Sequence, residues 1–177
     1  MKISDLIAQF IKEQVRHVFA VSGGANLHLL DSLDRAGVAI ICPQSEAACG
    51  FAADAYARLH GLGVALATSG PGATNLVTAI ATSFYDSVPV LYIVGQQTRV
   101  RLKENINPKL RQYGFQECPM TQIARPITKW AHQCDRAADF DPDFGSSTLI
   151  TALGIAQQQR PGPVLLEIPD DLQRASV

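Results

Sequence analysis

The sequence contains no run of about 18 apolar residues of the kind that crosses a bilayer. It opens Met1, Lys2, Ile3, Ser4, Asp5, without the apolar core of a signal peptide. Neither charge is in excess: 15 Lys and Arg stand against 16 Asp and Glu, so no global field draws the chain to nucleic acid or to an anionic membrane. Any partner is expected to be recognised locally. Cys42, Cys49, Cys118 and Cys134 include no CxxC pair for zinc or redox chemistry, and they read as reduced thiols of a cytoplasmic protein. Internal repeats and low-complexity tracts are missing as well. What is present is a chain of 177 residues, 47% apolar, a length and content that suit one compact domain with one sizeable core.

Along the chain, helical and strand-like segments alternate. Leu6, Ile7, Phe10 and Ile11 recur at helical spacing behind Ser4, which predicts a first amphipathic helix with Ser4 as its N-cap. His17 to Val21 reads as a strand, Leu27 to Leu33 as a helix and Val38 to Cys42 as a second strand. Alanine-rich Glu46 to Leu59 is helical, Val64 to Ala67 a strand, Ala73 to Ser83 a helix and Val88 to Val94 a strand. Strands that are apolar almost throughout fit a parallel sheet covered on both faces. The second half is less regular. The polar and basic run Gln96 to Arg111 leads to Tyr113–Glu117, read as a short helix. Ile127 to Ala131 and Val164 to Ile168 are expected as the last strands, with a helix around Leu149 to Gln158 and a surface insertion over Asp139 to Gly145. The expected fold is therefore α/β, three layers, with a mainly parallel sheet of about six strands.

Three segments are candidates for chemistry. Ser22, Gly23, Gly24 lies between a strand and a helix, where bare backbone approaches a ligand, but it lacks the GxGxxG spacing of a dinucleotide site and by itself reads first as a plain tight turn. Thr68 to Asn75 (TSGPGATN) also leaves a strand and opens a helix, with Pro71 stiffening a turn that Gly70 and Gly72 permit. It lacks the lysine of a P-loop, so a binding shelf and a structural turn stand level. Glu46 begins a helix, where a carboxylate is favoured by the helix dipole alone. The small apolar residues after it, Ala47 to Ala53, predict instead a poorly solvated acid that needs a partner, such as a ligand nitrogen.

Taken together, these stretches resemble the N-terminal domain of the thiamine-diphosphate enzymes related to acetolactate synthase, pyruvate oxidase and benzoylformate decarboxylase, most of all the acetolactate-synthase branch. The resemblance is carried by Glu46 with Phe51–Arg58 (FAADAYAR), Thr68–Asn75, Asp86–Pro89 (DSVP), Gly95 with Gln96, Phe115–Glu117 (FQE), Arg125–Trp130 (RPITKW) and Arg160–Asp171 (RPGPVLLEIPDD), in family order over nearly the whole chain.

The resemblance implies the thiamine-diphosphate-binding fold and a cofactor-activating role for Glu46. Its carboxyl would meet N1′ of the aminopyrimidine and favour the tautomer whose 4′-nitrogen deprotonates C2 of the thiazolium, which then attacks a 2-oxo acid. Pro71 and Asn75 match the loop along the cofactor, Gly23 and Gly24 the early loop beside it, and Gln116 a glutamine reaching towards the catalytic centre. Two departures stand out. Val21 and Ser22 replace the usual aromatic residue and proline, and Ser45 and Ala47 flank the acid where relatives carry histidine and glutamine. Relatives continue into a middle domain, which in some binds FAD, and a second domain whose GDG motif and asparagines hold Mg2+ and the diphosphate. Residues 1–177 are thus expected to form a single pyrimidine-binding domain, half of an active site, inactive alone. They are expected to pair as a homodimer or higher homo-oligomer and to work with a diphosphate domain in trans or in a longer chain. Two other classes stay open: a non-catalytic binding or regulatory module of the same fold, and a Rossmann-type NAD oxidoreductase.

Overall fold

A computed structural model of the chain describes residues 1–104, 109, 111–140 and 148–176. In chain order the elements are α1 (Ile3–Gln14), β1 (His17–Ala20), α2 (Leu27–Ala36), β2 (Ala39–Ile41), α3 (Glu46–His60), β3 (Gly63–Ala67), α4 (Pro71–Thr74), α5 (Val77–Asp86), β4 (Val90–Gln96) and α6 (Arg99–Glu104). There follow α7 (Met120–Ala124), β5 (Trp130–Gln133), α8 (Thr148–Gln157), β6 (Val164–Pro169) and α9 (Asp170–Gln173), with 3-10 turns at Arg125–Ile127 and Ala137–Phe140. The six strands form one sheet in the order β2-β1-β3-β4-β6-β5, and every pairing between them is parallel.

Two-sided burial explains the apolar strands. Along β4, Leu91 and Ile93 pack with Ile7, Ile11, Leu29 and Leu149, which belong to α1, α2 and α8. Val90, Tyr92 and Val94 point the other way and pack with Cys49, Ala53, Ile80 and Met120 from α3, α5 and α7. The expected three layers are present. Alanine-rich α3 owes its composition to this packing, because a Cβ on Gly50 would come within 2.4 Å of Ala79 Cβ on α5. Only small side chains let the two helices approach so closely.

The same interface holds a polar knot. Asp54, 5% exposed, accepts hydrogen bonds from Arg58 Nε (2.6 Å) and Ser83 Oγ (2.7 Å), and Ser83 Oγ lies 2.9 Å from the Tyr92 hydroxyl. With its proton given to Asp54, Ser83 accepts from Tyr92, whose phenol is pushed up by burial. Ser83→Ala leaves the Tyr92 hydroxyl and one Asp54 oxygen without partners. It is expected to cost about 1–2 kcal/mol in urea unfolding at neutral pH, with an unchanged denaturant slope.

Several local expectations are corrected. Ser4 lies inside α1 and is buried beside Ser32 Oγ (2.9 Å); the N-cap is Lys2, whose N–H donates to Asp5 Oδ2 at 3.0 Å. The predicted helix Ala73–Ser83 is two helices, α4 and α5, because the chain turns at Asn75 and Leu76. Tyr113–Glu117 forms a turn and no helix, with Gln116 at a left-handed φ of 53°. The fifth strand starts at Trp130, after Pro126 has fixed a 3-10 turn. The insertion predicted over Asp139 to Gly145 lies, from Asp141 onward, outside the described residues.

Candidate functional site

Open parallel sheets bind ligands beyond the carboxyl ends of their strands, at the point where the strand order reverses. Here that point lies between β1 and β3: the chain leaves β1 for its outer neighbour β2, then returns to the other side of β1 as β3. The turn after β1 carries Gly23 and Gly24, and the turn after β3 carries Thr68 to Asn75. Thr68 joins them. A Cβ on Gly23 would come within 2.5 Å of Thr68 Cβ, and Thr68 Oγ1 accepts from Ala25 N–H at 3.2 Å. Buried Asn26 pins the first turn, its Oδ1 accepting from Gly23 N–H (2.8 Å) while its Nδ2 donates to Val21 O (3.0 Å). The Gly23 N–H is thereby consumed within the chain and is not offered to a phosphate.

Glu46 reaches this place from α3. Ser45 caps that helix, its Oγ accepting from Ala48 N–H at 3.3 Å, so Glu46 occupies the first turn. Its Oε2 accepts from Asn75 Nδ2 at 3.0 Å, and a Cβ on Gly72 would lie 3.2 Å from its Oε1. The acid and the Thr68–Asn75 turn therefore meet. The burial expected for Glu46 is corrected: the side chain is half-exposed, because Cys49, Gly50 and Ala53 turn towards the sheet while the first helical turn stands at its open end.

Gly70, with φ 59°, shows why the second turn needs glycine: a Cβ there would lie 2.4 Å from Gln116 O. Gln116 is exposed, and with Gly24, Thr68, Gln97 and Arg101 it lines a cleft of about 390 Å3 beyond β3, β4 and β6. On its other side Gln116 lines a second cleft, of about 460 Å3, with Gly70, Pro71 and Phe115. A Cβ at Gly24 would meet nothing within 4 Å. All six residues singled out in the sequence thus lie on the turns and helix starts at this end of the sheet; Glu46 and Asn75 touch directly, while Gly24, Pro71 and Gln116 face the clefts.

Reading the sequence missed Glu167. This β6 residue is 1% exposed, on the same sheet face as α7. Its Oε1 accepts from Gln96 Nε2 at 2.6 Å, and its Oε2 has no hydrogen-bonding partner. Burial raises its pKa to about 7, and nearby Glu117 adds to the rise. The Met120 and Thr121 N–H groups lie close enough to temper that rise, though Met120 N–H is already given to Cys118 O at 2.8 Å. One acid in the otherwise apolar run Val164–Pro169 was the available signal. Three of the four thiols offer little reactivity: burial pushes Cys49 up to about 12 and also raises Cys118 and Cys134. Among the described residues no three His, Cys, Asp or Glu side chains come together as a metal site, and no helix is long and apolar enough to cross a membrane.

Comparison with known proteins places the chain in a family. The family described as thiamine pyrophosphate enzyme, N-terminal TPP binding domain, matches residues 1–124. The acetolactate synthase large subunit of Buchnera aphidicola subsp. Schizaphis graminum is 38% identical over 170 residues, covering 94% of this chain and 27% of that protein. Acetolactate synthase of Arthrospira platensis is 39% identical over 177 residues, 97% of this chain and 28% of its own length. Acetolactate synthase 2, chloroplastic, of Zea mays is 39% identical over 176 residues, 98% and 26% respectively. The chain thus spans about a quarter of the length of these relatives.

Proposed function

Because the chain belongs to the family of N-terminal TPP-binding domains of thiamine pyrophosphate enzymes, we propose that it is the pyrimidine-binding part of a 2-oxo-acid decarboxylase or carboligase of the acetolactate-synthase type, with Glu46 as the cofactor-activating acid. One observation supports this above the others. The acid at the start of α3 and the Thr68–Asn75 turn, distant in sequence, meet through the 3.0 Å bond from Asn75 to Glu46 at the reversal point of the sheet.

The residues present fit an aminopyrimidine. Glu46 offers a half-open carboxyl, Gly72 leaves the backbone bare beside Oε1, and a side chain at Gly72 would crowd that oxygen. Asn75 holds Oε2, so Oε1 is the oxygen left to exchange a proton with a ring nitrogen. Gly24 and Pro71 line the clefts that Gln116 also faces, where the ring and a 2-oxo acid would sit, while Gly23 lets the first turn close on Thr68. When bound, thiamine diphosphate supplies the nucleophilic carbon that adds to the carbonyl of the 2-oxo acid. The diphosphate with its Mg2+ needs concentrated countercharge, which we assign to a separate domain in trans or in a longer chain, together with any FAD.

The working unit is a homodimer or larger. On the side of the sheet that carries Glu46, α3 exposes Phe51 (43%) and Leu59 (81%), and α5 exposes Tyr85 (68%), apolar area that a second copy would cover. The 177 residues alone are expected to show no turnover of pyruvate with Mg2+ and thiamine diphosphate. Turnover is expected once a diphosphate-binding domain is supplied. Robust, Glu46-dependent decarboxylation by the purified chain alone would overturn the half-site reading.

A further inference from the structure

The turn that carries Gln116, Tyr113–Cys118, belongs to no helix or strand, so its position depends on side chains. Glu117 Oε2 ties it internally, accepting from the N–H groups of Tyr113 (3.0 Å) and Gly114 (2.9 Å). From the sheet, Gln97 Nε2 donates to Phe115 O and Gln96 Nε2 donates to Cys118 O at 2.9 Å. Gln96 is 2% exposed and its amide is used at both ends: Oε1 accepts from Gln97 N–H at 2.9 Å, and Nε2 also donates to Glu167 Oε1. Glu167 is the buried end of a hydrogen-bonded chain that runs through Gln96 to Cys118 and, by way of Gln97, to Phe115.

We propose that Glu167 is a positioning residue that fixes the side-chain amide of Gln96 and thereby holds the Tyr113–Cys118 turn, with Gln116, over the carboxyl end of the sheet. An ionised carboxylate only accepts, so it forces the NH2 end of Gln96 towards β6 and leaves the carbonyl end for Gln97 N–H. Its bond to Gln96 is charge-assisted when ionised and weaker when protonated. The groups around it do not compete for that role. Glu117 is the acid whose charge acts on it, and the Cys118 and Cys134 thiols are both pushed up by burial. Gln133 stands opposite in β5, α7 carries no ionisable side chain, and Asp171 of α9 is paired with Arg99 of α6 at 2.8 Å. Arg111 lines the small cleft beside Glu117 and Cys118. Only the part given to Gln116 rests on the function proposed above; the hold on the turn does not.

The test is amide hydrogen exchange in the full chain, corrected for intrinsic rates, for wild type, Glu167→Gln and Glu167→Leu between about pH 5.5 and 8.5. In Glu167→Leu the Tyr113–Cys118 amides are expected to exchange about tenfold faster or more, with no comparable loss of protection over Gly63–Ala67. In wild type, protection of the turn should rise as pH rises through the titration of Glu167. In Glu167→Gln, which keeps an acceptor for Gln96, it should be flat. If Glu167→Leu does not fold, the contrast between wild type and Glu167→Gln decides. Unchanged protection of the turn, or an equal loss across the sheet, overturns the proposal. No cofactor is present in the measurement, so failure of the Glu46 reading would leave its result intact.

Discussion

Replacing Glu46 by Gln is expected to slow exchange of the C2 proton of bound thiamine diphosphate, measured in an assembled enzyme, by about 10²- to 10⁴-fold. The substitution keeps the shape of the side chain and an acceptor for Asn75, so the turn it meets should remain in place. It removes only the ability to exchange a proton with a ring nitrogen. Because Glu46 is half-exposed, the melting transition should shift little, by about 0.5 kcal/mol or less. The opposite pattern, a clear loss of stability with normal exchange, would assign the acid to favourable contact with the first turn of α3 and nothing more.

Glu167→Gln should make the protein more stable at pH 8, by about 2–3 kcal/mol, or about 5–10 °C in Tm. In the folded chain the carboxyl titrates at about 7, against 4.5 for the unperturbed group. Between those values the folded state keeps a proton that the unfolded chain has released. Stability from this group is therefore full below about pH 4.5 and falls as pH rises to about 7, after which the loss is complete. The amide carries no charge to desolvate and can still accept from Gln96, so the variant should lack this slope. Urea unfolding at several pH values would measure both curves. Equal stability at pH 8 with the slope retained would mean that the titrating group lies elsewhere.

The layers were legible because the central strands β3 and β4 are buried on both faces and must be apolar; Val90–Val94 alternates between the two cores without a polar interruption. The meeting of Glu46 with the Thr68–Asn75 turn was foreseen from the resemblance, whereas periodicity alone says nothing about which turns of a sheet end face each other. Where local signals failed, tertiary contacts had overruled them. Ser4 has an N-cap's side chain, but it is needed in the contact with Ser32, and the chain caps α1 two residues earlier. Gln116 has no glycine-like signature, yet it adopts φ 53° because its carbonyl packs against Gly70. Small residues after Glu46 suggested an enclosed acid, but they serve the packing of α3 on α5 and the sheet. Glu167 was overlooked since a single acid in a strand resembles an outward-facing residue until the helices over that face are known.

The strand order bears on how the protein is made. β6 is buried throughout and sits between β4 and β5, yet it is the last of the six described strands in sequence. While the polypeptide emerges from the ribosome, β4 has a partner in β3 on one side only, and its other edge stays bare until Val164–Pro169 has been synthesised. Lys2 and Ile3 wait as long, since they are tied to Ser176 and Ala175. An incomplete chain stalled short of residue 164 therefore displays a continuous apolar β-edge, the kind of surface that recruits other strands. Such nascent chains are natural clients for chaperones, and expression should respond more sharply to chaperone supply and to the rate of translation than the stability of the finished fold would lead one to expect.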